Sequence, residues 1–233
     1  MVTQIAYTNS NCSDLWDMFV KENKQNTNIP LFMISDKHID SMSNEKQLIY
    51  DNDEPYYQVW SKAANMFGDK YFIYLQEDFI LYDKVNEEKI KEYCDFLDKN
   101  PQYSFIRLIK SGNLLNKKLS STLYEIECDN INIFAMQATI WRTIDYIKLM
   151  NVVKSKGWLN EGDYRNTMIN LNMMGAYHYD NEIKRGSAHY NSNVYPYIAT
   201  ALVKGRWNIR EYNNELSKLL LKYGIYINRR GIL

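Results

Sequence analysis

The run Tyr71–Leu75 (YFIYL) ends in Gln76-Glu77-Asp78 with no turn residue in between. Two adjacent carboxylates repel each other, and neither is buried cheaply without a partner. An apolar segment that ends this way reads as a place that attracts a cation. Hard divalent ions such as Mn²⁺ or Mg²⁺ take carboxylate oxygens and share them with substrate phosphates. Polar clusters also close two other runs: Asn9-Ser10-Asn11 follows IAYT, and Ser35-Asp36 follows PLFMI. Further along, Glu161 and Asp163 follow Asn160 at an expected helix start. A carboxylate there complements the helix dipole and could also serve as a general base. His178 lies inside AYHY and reads as a packed strand histidine, whereas His189, in the loop KRGSAHYNSN, is the better ligand candidate.

These groups need a scaffold that brings them together. Short apolar runs alternate with helical patterns through the first half. Strands are expected at Ile5–Thr8, Pro30–Ile34, Tyr71–Leu75 and Ser104–Ile109. Helices fall between them, one capped by Ser13 and carrying Leu15, Trp16, Phe19 and Val20, one carrying Val59, Trp60, Ala63, Ala64 and Phe67, and one opened by Asn86 and stopped before Pro101. Strands alternating with helices imply a mostly parallel sheet covered by helices on both faces, and runs apolar on both faces, such as YFIYL, suit its centre. In such sheets ligands bind beyond the carboxyl ends of the strands, so the three polar clusters are expected on one rim. In the second half, Leu123–Cys128 and Ile131–Thr139 read as a hairpin about Asp129-Asn130. Helices over roughly 143–154 and 160–173, the strand AYHY, a loop over 180–193 and a closing helix with Leu216, Leu219, Leu220 and Tyr223 follow. The expected organisation is a single domain over 1–233 in two halves, 1–110 and 111–233.

Composition narrows the classes. With 233 residues, 45% of them hydrophobic, the chain can bury a core without staples. Lys+Arg and Asp+Glu number 28 each, so no global field draws nucleic acid or a membrane surface. The N-terminus lacks the pattern of a signal peptide, and no apolar run approaches the ~20 residues of a membrane span. Three widely spaced cysteines, Cys12, Cys94 and Cys128, fit reduced thiols in a cytoplasmic setting and do not suggest a disulfide framework or a zinc cluster.

The strand ending LQED resembles the acidic, DxD-like strand end of the GT-A class of nucleotide-sugar glycosyltransferases. In size and order the chain is similar to small soluble glycosyltransferase domains of large algal viruses. The resemblance implies a single GT-A-like (Rossmann-type) α/β domain with a central, mostly parallel mixed sheet flanked by helices. It implies a metal-dependent hexosyl- or pentosyltransferase moving sugar from a nucleotide-sugar donor to a glycan or other hydroxyl acceptor, with inversion. Asp78 then takes the metal position and Gln76 the ribose-contacting one, where the family commonly has an acid. YTNSNCSDLW, with Thr8, Asn9 and Ser10, resembles the loop that cradles the nucleotide, and Asp36 joins it. FAMQATIWR resembles the segment before the acceptor site, and LNEGDYRNTM resembles the helix start that carries the acceptor-side carboxylate, Glu161 or Asp163. The stretch from His189 to Trp207 resembles a C-terminal lid in which His189 joins the metal and Lys204 meets the diphosphate beside Trp207.

Two other functions compete. A metal-dependent nucleotidyltransferase also uses acids at strand ends but usually needs a glycine-rich phosphate loop, and YTNSNCSD has no glycine. A non-catalytic carbohydrate- or nucleotide-binding protein on a transferase fold is the other, kept open by Gln76.

Overall fold

A computed structural model describes residues 2–112, 114, 117–153 and 161–233. The first half gives strand β1 (Val2–Tyr7), helix α1 (Ser13–Asn26), β2 (Leu31–Ser35), the short β3 (Gln47–Ile49), α2 (Tyr56–Phe67), β4 (Tyr71–Gln76), α3 (Glu87–Lys99) and β5 (Tyr103–Arg107). The second half gives β6 (Leu123–Ile126), β7 (Thr139–Arg142), α4 (Thr143–Val153), α5 (Glu161–Asn170), β8 (Met174–His178), the small hairpins β9 (Lys184–Arg185) with β10 (His189–Tyr190) and β11 (Leu202–Val203) with β12 (Arg206–Trp207), and α6 (Asn213–Lys222).

Eight strands form one sheet in the order β3-β2-β1-β4-β7-β5-β8-β6, so strands from both halves of the chain share it. β1, β2, β3 and β4 run parallel, β7 is antiparallel to both β4 and β5, β8 is parallel to β5, and β6 is antiparallel to β8. This is the mixed, mostly parallel α/β sheet expected from the alternation of elements.

YFIYL is apolar throughout because both faces of β4 are covered. Tyr71, Ile73 and Leu75 join a core with residues of α1, α3 and α6, while Phe72 and Tyr74 join a second core with residues of α2, α4 and α5. Trp60, fully buried, lies 5.5 Å from Phe72, 5.7 Å from Tyr74 and 4.8 Å from Tyr146, ring centre to ring centre. Gly175 in β8 is needed for close approach, since a Cβ there would sit 2.0 Å from the Phe105 ring.

Several local expectations are corrected. Leu123–Cys128 and Ile131–Thr139 are not a hairpin: β6 pairs with β8, and β7 crosses to lie between β4 and β5. The apolar pattern there reflects two separate pairings, β6 at the sheet edge and β7 at its centre, which a local Asp-Asn signal cannot distinguish from a turn. Ser13 is the first residue of α1 and does not cap it. The capping side chain belongs to Asn9, which accepts from the Asn11 N–H (3.0 Å) at a short 3-10 turn, Ser10–Cys12. Asn86 does cap α3, accepting from the Lys89 N–H at 3.0 Å. The stretch expected as a lid is largely interior: Val194, Tyr195, Tyr197, Ile198, Ala199 and Ala201 are buried, and backbone bonds tie it to the chain after β4 (Ile198 N–H to Ile80 O, 2.9 Å; Tyr82 N–H to Pro196 O, 3.1 Å).

Candidate functional site

Parallel pairing fixes where the polar clusters meet. Tyr7, the last residue of β1, is in register with Ile34 of β2 and Gln76 of β4, so the chain leaves all three strands at one edge. The segments beyond them contact one another there. The Ser10 N–H and hydroxyl both donate to the Asp36 carboxylate, at 2.6 and 2.7 Å. Thr8 is almost fully buried; its hydroxyl accepts from the Trp16 indole at 2.8 Å and its carbonyl accepts from the Tyr50 hydroxyl at 3.0 Å. Thr8 thus fixes the loop from beneath, and Asn9, Ser10 and Asp36 form its surface. Tyr7 stacks on Tyr50 with ring centres 5.1 Å apart, which adds an aromatic wall to this edge.

The acidic strand end adjoins that loop. Glu77 is buried and hydrogen-bonded by the Cys12 thiol and the Thr8 hydroxyl; its carboxyl is held above the ordinary range by burial, against the pull of those bonds. Asp78 is half-buried, and burial together with the neighbouring Glu77 charge pushes its carboxyl up to about 8. The Leu202 N–H donates to it from outside the strand end, at 3.3 Å. Cys12, desolvated and facing Glu77, is pushed up to about 12 and stays a thiol. Gln76 donates to the Tyr74 hydroxyl at 3.1 Å and meets the Met136 sulfur at 3.4 Å.

The bond from Leu202 places hairpin β11–β12 against Asp78. Its turn residues Lys204 and Gly205 both have positive φ, 51° and 75°, and Lys204 and Arg206 are exposed at the tip. Trp207, expected at the nucleotide, is instead fully buried in the core. A further cation, Arg230, reaches this region. Its guanidinium grips both oxygens of Asp14 (Nε to Oδ2, 2.7 Å) and donates to the carbonyls of Asn11 (2.9 Å) and Gly205 (3.4 Å). One residue thereby clasps the loop after β1, the first turn of α1 and the hairpin.

On the acceptor side, Glu161 opens α5, and its carboxylate accepts from the Met136 N–H at 3.1 Å. Since Met136 also touches Gln76, the expected base and the acidic strand end share a neighbour. Asp163 lies two residues on and is exposed; Leu159 and Asn160 of the same motif fall outside the described residues. Arg107, at the end of β5, is buried and supports the same segment by donating to the carbonyls of Asn132 (2.8 Å) and Ile133 (3.3 Å). An arginine in the apolar run SFIRLI was the available signal for it.

His189 is placed elsewhere. Its Nδ1 lies 3.3 Å from a Glu211 carboxylate oxygen, and its backbone bridges to Ser111. His178 is buried between the Tyr93 hydroxyl (2.7 Å) and Glu182 (2.5 Å), a packed strand histidine as expected. Among the described residues, no three or more His, Cys, Asp or Glu side chains form a metal-holding group. The donor set at the rim is therefore Asp78 with Glu77 behind it. That is a poor cage, yet it suits an ion such as Mg²⁺ or Mn²⁺ that keeps waters and takes most other ligands from a substrate diphosphate.

No family model and no curated protein matches the chain. Among solved structures, residues 1–349 of S. aureus TarS share 12% identity at a TM-score of 0.49, over 98% of this chain and 68% of that one. CMP:2-keto-3-deoxy-manno-octonic acid synthetase complexed with CTP shares 8% at 0.44, over 76% and 88%. A cytidylyltransferase from Leptospira borgpetersenii serovar Hardjo-bovis shares 13% at 0.40, over 100% and 98%. Among the described residues, no helix is long and apolar enough to cross a membrane.

Proposed function

We propose that the chain is a glycosyltransferase that moves a sugar from a nucleotide-sugar donor to a glycan or other hydroxyl acceptor, with inversion. The observation that carries this reading is the half-buried Asp78, its carboxyl raised by burial and by Glu77, at the end of a central parallel strand and against the β11–β12 hairpin. A carboxylate held there gains from a positive partner, and a donor diphosphate with its counter-ion supplies one.

In this mechanism the loop Asn9-Ser10 and Asp36 face the nucleoside, with Tyr7 and Tyr50 as an aromatic wall, and Gln76 offers its amide to a ribose hydroxyl. A divalent ion, Mn²⁺ or Mg²⁺, held by Asp78 would offset the negative charge that grows on the diphosphate as it leaves. Lys204 and Arg206, on the hairpin fixed to Asp78 through Leu202, supply fixed positive charge to the same oxygens. On the acceptor side Glu161, oriented by the Met136 N–H, removes the proton from the attacking hydroxyl, with Asp163 the other carboxylate in reach of that role. A bond forms from acceptor oxygen to the anomeric carbon as the bond to the diphosphate breaks; one proton passes to the carboxylate.

The test is product analysis with a panel of nucleotide-sugars and oligosaccharide acceptors in Mn²⁺. Release of nucleoside diphosphate that depends on acceptor, with a glycosylated product, supports the proposal. Consumption of a nucleoside triphosphate with a sugar phosphate, releasing pyrophosphate, would reassign the site to nucleotidyl transfer.

A further inference from the structure

The same rim carries a second feature, built from tyrosines, at its β8 end. Beyond β8 the chain runs into Tyr179, whose N–H donates to the Thr122 carbonyl at 3.0 Å, and the β9–β10 hairpin brings Tyr190 beside it. Tyr179 and Tyr190 meet edge to face, with ring centres 5.4 Å apart and planes at 76°. Tyr124 lies 6.2 Å from Tyr179 and stacks at 5.4 Å on Tyr177. Tyr177 is fully buried and belongs to the core, whereas Tyr124, Tyr179 and Tyr190 are half-buried.

The arrangement is held from both sides. The Lys110 ammonium sits 4.3 Å from the centre of the Tyr179 ring and 5.2 Å from that of Tyr190, bracing the pair by cation–π attraction. The Tyr190 N–H donates to the Lys110 carbonyl at 3.2 Å, and Ser111 bridges to His189. β8 is parallel to β5, and β5 and β4 are both antiparallel to β7, so Tyr179 leaves the sheet at the same edge as Asp78. β4 and β8 are three strand spacings apart, roughly 14 Å, which is longer than one sugar ring. β7 and β5 lie between them in strand order, and Glu161 holds Met136 in the segment entering β7.

We infer that Tyr124, Tyr179 and Tyr190 form a stacking subsite for a distal sugar of an extended acceptor chain whose reactive end lies at Glu161. This rests on the glycosyl-transfer reading of the acidic strand end. Aromatic faces carry negative potential and attract the weakly positive C–H face of a pyranose. A flat apolar face requires equatorial substituents, so the subsite favours a β-linked chain of gluco- or xylo-configured sugars over one with axial hydroxyls.

Ligand-observed NMR with cellotriose, xylotriose and free glucose, without donor, reads this subsite directly. Either trisaccharide should bind the wild-type chain, and Tyr190→Ala or Tyr179→Ala should bind it roughly tenfold more weakly, the scale of one aromatic contact. Glucose should bind more weakly than the trisaccharides, and Tyr190→Phe, which keeps the ring, should bind like wild type. Nucleotide-sugar affinity, measured on the same variants, should not move. The inference is overturned if neither trisaccharide binds, or if both alanine variants bind as wild type does while melting normally. If trisaccharide binding fails in the alanine variants but no nucleotide-sugar binds the wild-type chain, the sugar subsite stands and the donor reading falls. If donors bind and turn over while the tyrosines prove irrelevant, the subsite falls alone.

Discussion

Replacing Arg230 with methionine removes a charge from a nearly closed site. The Arg230 and Asp14 side chains are 14% and 10% exposed, and the guanidinium grips both carboxylate oxygens while also serving two backbone carbonyls. Breaking a fully buried pair from one side costs about 3–5 kcal/mol. Here the stranded Asp14 keeps some support, because it lies in the first turn of α1, where the helix dipole favours a carboxylate. The expected loss is therefore about 2 kcal/mol. For a chain of this length that is a fall in Tm of about 4–8 °C. Thermal unfolding of Arg230→Met, Asp14→Asn and the double variant would measure it, and the double variant should be more stable than the sum of the single losses predicts. The pH dependence has a definite sign. Burial raises the Asp14 carboxyl, but the Arg230 hydrogen bonds and charge outweigh it and hold it below its ordinary value. The stabilisation is thus present above that ordinary value and is lost as pH falls through the lower folded-state one. In Arg230→Met this part of the acid-side decline should disappear. A Tm change under about 1 °C, or strictly additive losses, would refute the clasp as a stabilising contact.

Three other outcomes follow from the geometry. Glu161→Gln should keep normal donor affinity but lose turnover by at least about 10²-fold, as expected for removal of a general base, measured by steady-state kinetics. Asp163→Asn should leave both nearly unchanged if Glu161, which is held by Met136, is the base; the reverse pattern would transfer the role to Asp163. Gly175→Ala should cost about 1–3 kcal/mol or more in denaturant unfolding, because the added methyl meets the Phe105 ring.

The long elements were legible because their periodicity is local. YFIYL, SFIRL and the α2 and α3 patterns each carry enough apolar positions to declare both type and faces. β3 was missed because Gln47–Ile49 is three residues long and shows no alternation. The β6–β7 error has a different cause: which strand pairs with which is decided by the whole sheet, and a local turn signal had no competitor in sequence. The rim divides the same way. That Asn9–Asn11, Asp36 and Gln76–Asp78 share an edge follows from parallel topology alone. Arg230 beside Asn11, across more than 200 positions of chain, follows from tertiary packing and left no local trace. Trp207 and the stretch Val194–Ala199 were mistaken for lid because their neighbours are polar, although their own side chains are apolar or aromatic and buried.

The central claim is that Asp78 holds the cation side of a nucleotide diphosphate. Calorimetric titration of uridine, cytidine, guanosine, thymidine and adenosine diphosphates, with and without Mn²⁺, into wild-type and Asp78→Asn protein tests it most directly. At least one nucleotide should bind the wild-type chain only with Mn²⁺, and that binding should vanish in Asp78→Asn. The ligand-free variant should melt no lower than wild type, because the substitution replaces a carboxyl whose ionisation is opposed by burial and by Glu77 with a neutral amide. Undiminished Mn²⁺-dependent binding in Asp78→Asn would contradict the account.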